Sequence, residues 1–298
     1  MKVCGKDVHV NGRLIRIGHL EGDKYEPLAD PEATIEALQE SRERIDLFTF
    51  MQTLPHTSPK YDYPLEWDNL AVLRVSTFDH WWTKQINNKT RNMVRRAEKN
   101  GVTVREVPFD DDLVHGIWTI YNEVPTRQGK PFPHYGKDPE SVRRMSATFP
   151  DQSTFVGAFL GGSLIGFIKL VTDAEQEQAS LMHIVSLYQH RDKAPTNALI
   201  AQAVRTCAER GIPYLAYSNF SYGKKQGDGL SDFKQYNGFE RIELPRYHVP
   251  LTLVGWAALR LQLHHGLVNR VPESLQRELR RIRSLMYSWR LQAKRKAA

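Results

Sequence analysis

Beyond residue 153 the apolar positions fall into two runs, 154–160 and 165–171, separated around Gly161-Gly162. Two β-rich runs meeting at a two-glycine connection predict a hairpin, and their nearly unbroken apolar character predicts cover on both faces. A third run spans 179–187. The period then changes, with Leu199, Ile200, Ala203, Val204 and Cys207 recurring at helical spacing and Gly211 placed to end that helix. Residues 212–217 predict a strand, the stretch carrying Leu230, Phe233 and Lys234 a helix, and 247–251 a last strand after Asn237-Gly238-Phe239. The block therefore reads strand, strand, strand, helix, strand, helix, strand.

Nearer the N-terminus, Val8-His9-Val10, the turn pair Asn11-Gly12 and Arg13-Leu14-Ile15-Arg16-Ile17 alternate faces and predict another hairpin. Asp30-Pro31 predicts a helix start, 46–51 a strand, 61–68 a loop and 70–75 a strand. We divide the chain into a strand-rich N-terminal extension (1–79), an α/β domain (80–252) and a basic helical tail (253–298).

Composition changes this picture only where it is uneven. The 298 residues, 41% hydrophobic, suffice for one large or two modest cores. Cys4 and Cys207 lie far apart, without Cys or His neighbours at metal-ligand spacing, so neither a disulfide framework nor a metal site is expected. No apolar signal core follows Met1, so a cytoplasmic protein is expected. From residue 251 onward ten Lys or Arg face two acids, so the net charge of +7 resides in the tail. Leu275, Leu279, Ile282, Met286, Trp289 and Ala293 form an apolar stripe on a helix that Pro272 would start. Three readings of this tail stand side by side: a helix packed on its own domain, a helix on an anionic membrane surface at which the enzyme is peripheral, and a dock for RNA phosphates. Residues 255–268 are apolar but interrupted by Arg260, Gln262, His264 and His265, and fall short of the roughly 20 residues needed for a transmembrane segment.

Two further stretches carry chemistry. Lys89 to Val102 reads KTRNMVRRAEKNGV, placing Arg91, Arg95 and Lys99 on one helical face. Residues 121–137 hold three prolines and two glycines among many polar side chains, so their path is fixed while their side chains converge.

The order of elements in 154–251, the Phe233-Lys234 pair ahead of Gly238-Phe239, and the Arg-Asn…Arg-Arg-Ala-Glu-Lys-Asn-Gly-Val helix resemble the GNAT superfamily. Within it they resemble the Fem family of non-ribosomal peptidyl transferases, over about residues 80 to 250. The resemblance implies an α/β fold with a mixed, mostly antiparallel sheet flanked by helices. It also implies an acyltransferase that needs an acyl donor and an amine acceptor, with acyl-CoA or aminoacyl-tRNA as donor and no tightly bound cofactor.

It further implies places for the site. Donor binding falls to the loop before the helix at 198, on Arg191, Lys193, Ala194, Thr196 and Asn197, with Asn197 a candidate helix cap. Arg95 would track donor phosphates, although a solvated helix face accounts for it as well. Lys234 would stabilise developing negative charge at the reacting ester, held by Phe233; on spacing alone Phe233 is a core residue and Lys234 its solvent neighbour. Glu123 or His134 would serve as base, and Tyr222 as acid. Arg127, Gln128, Lys130 and Tyr135 would bind the acceptor, or belong to an ordered surface loop. His183, on the third strand, is a further candidate or a core residue. The donor loop lacks the glycines with which GNAT enzymes cradle a pyrophosphate. Transfer to an amino group of a cell-envelope or polysaccharide precursor is thus one expectation. A catalytically inactive GNAT-like module binding RNA or an acidic partner is the other.

Overall fold

The computed structural model describes residues 1–25, 27–127, 130–221 and 229–265. Tyr222, Gln128 and the apolar stripe of the tail lie outside them. The N-terminal elements are β1 (Lys2–Val3), β2 (Lys6–Asn11), β3 (Ile17–Leu20), α1 (Pro31–Gln39), β4 (Leu47–Met51) and β5 (Leu65–Arg74). There follow α2 (Phe78–His80), which runs into a π-helical turn (Trp81–Gln85), α3 (Asn88–Lys99), β6 (Val102–Val107), α4 (Asp111–Asn122), β7 (Thr126–Arg127) and β8 (Lys130–Pro131). The chain continues through α5 (Pro139–Ser146), β9 (Ser153–Leu160), β10 (Ser163–Thr172), β11 (Gln178–Ser186), α6 (Pro195–Arg210), β12 (Tyr214–Ala216), α7 (Gly229–Tyr236), β13 (Glu240–Pro250) and α8 (Leu253–Arg260).

Among the described residues, all strands except the small β7–β8 ladder join one eleven-stranded sheet, ordered β1-β2-β3-β4-β13-β5-β12-β11-β10-β9-β6. Its pairings are antiparallel except β3 with β4 and β11 with β12. Successive residues of a strand face opposite sides, and β10 shows what covers each. The Phe167 ring lies 5.8 Å from that of Tyr121 on α4, whereas a Cβ on Gly166 would stand 3.2 Å from Leu199 of α6. Phe167 and Ile168 are both fully buried, which is why the sequence run is apolar without alternation. Each such side chain removed from water stabilises the fold by roughly 1.5–3 kcal/mol. A second core, built on Phe48, Phe50, Leu38 and Tyr247, lies under α1.

Local signals acted where the sequence places them. Asp30 accepts from Ala33 N and caps α1, and Gly211, at φ 69°, ends α6. Other boundaries need correction. The strand expected at 13–17 does not follow directly on Asn11-Gly12: residues 12–16 form the connection, and Leu14 is 87% exposed. Gly12 (φ 95°) closes a turn so tight that a Cβ there would meet Ile15 O at 2.0 Å. Arg16 then bonds to Asp46, its N donating to Asp46 Oδ2 and its O accepting Asp46 N, which brings Ile17 into register with both Asn11 and Leu47. β5 begins at Leu65, inside the expected loop, because β13 runs from Glu240 rather than Tyr247 and pairs along its length. The strand expected at 212–217 shortens to Tyr214–Ala216, where its partners part.

Candidate active site

β11 and β12 run side by side for three residue pairs only, from Gln178↔Tyr214 to Ser180↔Ala216. β11 then continues along β10 to Ser186, while the chain after Ala216 stays with β5: Tyr217 N donates to Ala71 O and Ala71 N to Ser218 O. Two parallel neighbours thus separate into a wedge, with residues 181–186 on one side and 217–219 on the other.

Asn219 stands on the second side and is bonded through every polar group of its side chain. Its amide oxygen accepts from Lys24 Nζ, its Nδ2 donates to Asp68 Oδ1 (2.7 Å), and its main-chain carbonyl accepts from Lys234 Nζ. Asp68 in turn accepts from Arg246 Nε (3.1 Å), whose Nη1 donates to Asp23 (2.7 Å). Lys24 O accepts from Gln178 Nε2 (3.0 Å) and Ser180 Oγ (3.4 Å), so the loop around residue 24 is fastened where the strands part. Burial holds the Lys24 ammonium below the usual lysine range, against the opposing attraction of Asp68. The sequence singled out none of Lys24, Asp68, Asn219 or Arg246; their only shared signal is convergence in space.

Lys234 is fully buried, which the solvent-neighbour reading of its spacing does not describe. Its ammonium lies 4.6 Å from the centre of the Tyr217 ring, and Phe233 packs against the core beside it. α7 is fixed from several directions. Trp81 Nε1 donates to Asn237 O (3.0 Å), Thr90 Oγ1 to Tyr236 O (2.7 Å), and Asn197 Nδ2 to Asn237 Oδ1 (3.3 Å). Gly238 then turns at φ 88°, a left-handed conformation natural to glycine, where a Cβ would stand only 3.2 Å from Leu73 Cδ1 and 3.3 Å from Gln85 O.

The opposite side of the wedge carries imidazoles. His183, opposite Lys169 in the β10–β11 register, lies edge-on to His134 with centroids 5.8 Å apart; His134 stacks on Tyr121 at 4.4 Å. Burial pushes His183 down to about 4, and His134 is also lowered, first by burial and then by Lys137 and Arg127. Both rings are therefore neutral at pH 7, and a neutral imidazole can take the proton that an amine nitrogen loses as it attacks; His183, pushed down to about 4, is the weaker base of the two. Lys169 is not exposed: its Nζ donates to Ser146 O (2.9 Å) and Thr148 Oγ1 (2.8 Å), closing the C-terminal end of α5, and burial pushes it down to about 8.

Arg127 ties the end of β11 to the end of α4, with Nη1 donating to Ser186 O (2.7 Å), Nη2 to Ile120 O (3.1 Å), and its guanidinium 4.6 Å from the Phe132 ring centre. Lys130 is exposed and Tyr135 half-buried on the adjoining loop. Glu123 is a correction to its reading as a base. Its carboxylate accepts from Tyr188 N (2.5 Å) and Gln189 N (2.9 Å) and pairs with Arg127 at 3.4 Å, so it holds the loop after β11.

That loop, Tyr188–Lys193, is a 3-10 turn. Arg191 stacks over Tyr188 at 4.0 Å, Lys193 pairs with Asp192 at 3.4 Å, and Thr196 Oγ1 meets Ser186 Oγ at 3.1 Å. Asn197 does not cap α6: the cap position is Ala194, left-handed at φ 54°, and Asn197 lies a turn inside, buried against Asn237. Arg95 stands 5.5 Å from the Trp82 ring centre in a groove of about 260 Å³ between α3 and α6. That is the side of the sheet away from α4, so Arg95 does not join His134 and Arg127. Glu66, His248 and His264 also come together, a cluster that cysteine spacing could not reveal.

No family model matches the chain, and no curated protein matches its sequence. Solved structures match its fold. L-PGS from Bacillus licheniformis superposes with a TM-score of 0.56 at 14% identity, over 86% of this chain and 85% of that one. The C-terminal domain of a putative lysylphosphatidylglycerol synthetase from Agrobacterium fabrum gives 0.55 at 13% identity, over 87% and 84%. FemX gives 0.49 at 12%, over 63% of each chain. The chain thus shares with the Agrobacterium and Bacillus structures an α/β fold with a large, mostly antiparallel sheet flanked by helices, the architecture its sequence predicts.

Proposed function

We propose that this chain is an aminoacyltransferase, moving an aminoacyl group from aminoacyl-tRNA to an amino group of a cell-envelope precursor. The observation that carries this reading is the burial of Lys234 at the carbonyl of Asn219, beyond the point where β11 and β12 part. With Lys24 on the same asparagine, two ammonium groups flank the place where an ester's leaving oxygen would become negative, and fixed cations there lower the barrier. His134, neutral across the wedge, would take the proton the acceptor amine loses as it attacks, in place of Glu123, with His183 packed edge-on beside it.

The choice of donor draws support from the first turn of α6. Pro195 brings no N–H, and the amides of Asn197 and Ala198 both donate to Ala194 O (3.1 and 3.4 Å). The helix retains little with which to cradle a pyrophosphate, which favours aminoacyl-tRNA over acyl-CoA. The envelope acceptor draws support from the fold neighbour named as a putative lysylphosphatidylglycerol synthetase, and from α8, which exposes Leu253, Val254 and Trp256. Among the described residues no helix is long and apolar enough to cross a membrane, so α8 and the basic tail would hold the enzyme against the surface.

The test supplies labelled aminoacyl-tRNA or labelled acetyl-CoA with amine-bearing envelope precursors. Label passes from the tRNA, and Lys234→Met lowers turnover about 100-fold or more, with Lys234→Arg recovering part of it. Full turnover in Lys234→Met would refute the assignment; salt-dependent tRNA binding without any turnover would favour a binding module instead.

A further inference from the structure

Next along β5 and β13 from Asp68 and Arg246, three elements distant in sequence bring Glu66, His248 and His264 together. Glu66 lies near the start of β5, His248 near the end of β13, and His264 in the single turn Leu263–His265 that follows α8. One ligand-type atom from each of the three lies within 4.8 Å of the other two. His264 Nε2 and His265 Nε2 each stand 2.9 Å from Glu66 Oε1, and His248 Nε2 lies 3.7 Å from Glu66 Oε2. The His248 and His264 ring centroids are 4.8 Å apart, and those of His264 and His265 4.0 Å.

Hydrogen bonding among protein groups accounts for only part of this. The Glu66 carboxylate can accept from His264 and His265. Neither ring nitrogen of His248, which is 6% exposed, has a hydrogen-bond partner among the described residues, nor has His264 Nδ1. A buried polar atom left without a partner costs about 1–3 kcal/mol, so such atoms call for an explanation. Three imidazoles converging on one carboxylate would repel one another as cations, whereas as neutral rings each offers a lone pair to a common centre. Arg246, also on β13, has its charge matched by Asp23 and Asp68.

We propose that Glu66, His248 and His264 bind one divalent transition-metal ion of the zinc class, with His265 completing the shell. Three imidazole nitrogens and one carboxylate oxygen form a borderline donor set that suits zinc. At bond lengths of about 2.0–2.2 Å a tetrahedral site spaces its donor atoms roughly 3.3 Å apart. The separations of 2.9, 3.7 and up to 4.8 Å bracket that value, so side-chain rotation suffices to close the site. Four protein ligands leave no open position, which makes the site structural. It fastens the turn after α8 to the sheet where β5 and β13 pair.

The experiment uses the full chain, stripped with a chelator and dialysed, then titrated with zinc alone by calorimetry and with cobalt(II) by visible absorption. One zinc binds per chain, cobalt gives the intense visible bands of tetrahedral coordination and is displaced by zinc, and zinc raises the melting temperature. Glu66→Gln and His264→Ala each weaken zinc binding by about tenfold or more and remove the melting shift. His56→Ala, at an exposed histidine elsewhere, changes neither. Less than one zinc per chain in the unaltered protein, or a cobalt spectrum without tetrahedral bands, overturns the proposal even if a variant fails to fold. Equal zinc affinity in unaltered and His264→Ala protein overturns it as well.

Discussion

Replacing Arg246 by methionine removes the guanidinium from between two carboxylates while keeping most of the side-chain volume. Arg246, Asp23 and Asp68 are only 19%, 15% and 20% exposed, so water reaches the remaining charges poorly. The loss breaks bonds of 2.7 Å to Asp23 and 3.1 Å to Asp68 and leaves two like charges facing each other in a partly buried space. Losing one partner of a buried pair costs about 3–5 kcal/mol; with a fifth of each surface still wet, we expect the low end, about 3 kcal/mol. For a chain of this size that is a fall in Tm of roughly 6–12 °C. Asp68 also holds the Asn219 amide at 2.7 Å, so turnover falls with stability. The assay is urea unfolding of Arg246→Met and of Arg246→Met combined with Asp23→Asn and Asp68→Asn. Neutralising both carboxylates removes the repulsion, so the combined variant recovers about 1 kcal/mol or more. A cost under about 1 kcal/mol for Arg246→Met, with nothing recovered in the combined variant, would show that the network is solvated and that our reasoning about it fails.

Three further outcomes are expected. His183 titrates at about 4 in the fold against 6.5 when free, so its stabilising effect is complete above pH 6.5 and is lost as pH falls through 4, by up to about 3 kcal/mol. His183→Gln therefore flattens the fall in Tm between pH 7 and 5, leaving the part due to His248, and an unchanged slope contradicts this. Gly255→Ala places a Cβ 1.7 Å from Asp46 O, which pushes α8 off the sheet at a cost of about 1–3 kcal/mol; a variant that melts with the parent protein rules this out. Trp256→Ser, at a side chain 56% exposed on α8, weakens flotation with anionic lipid vesicles without lowering Tm, and equal flotation would remove α8 from the membrane reading.

The fold was largely legible because its signals are local. The run 154–171 is apolar on both faces and is found buried between α4 and α6; the helical period at 199–207 and Gly211 delimit α6; Phe233 and Lys234 lie on the expected helix. Strand limits were less legible. β5 and β13 each extend beyond their apolar stretches because each supplies the other with hydrogen-bonding partners, which no single segment can announce.

For the candidate site, the chain's own order determined the elements that would present it and marked Lys234 and His134 as candidates. Tertiary structure decided which groups meet. Glu123 went to the amides of the loop after β11, Asn197 to Asn237, and Asn219 to residues 24, 68 and 234. The physical reason is range: propensity, period and capping act over a few residues, whereas the bond from Arg246 to Asp23 spans 223 positions and exists only once the sheet has set β13 one strand away from β3.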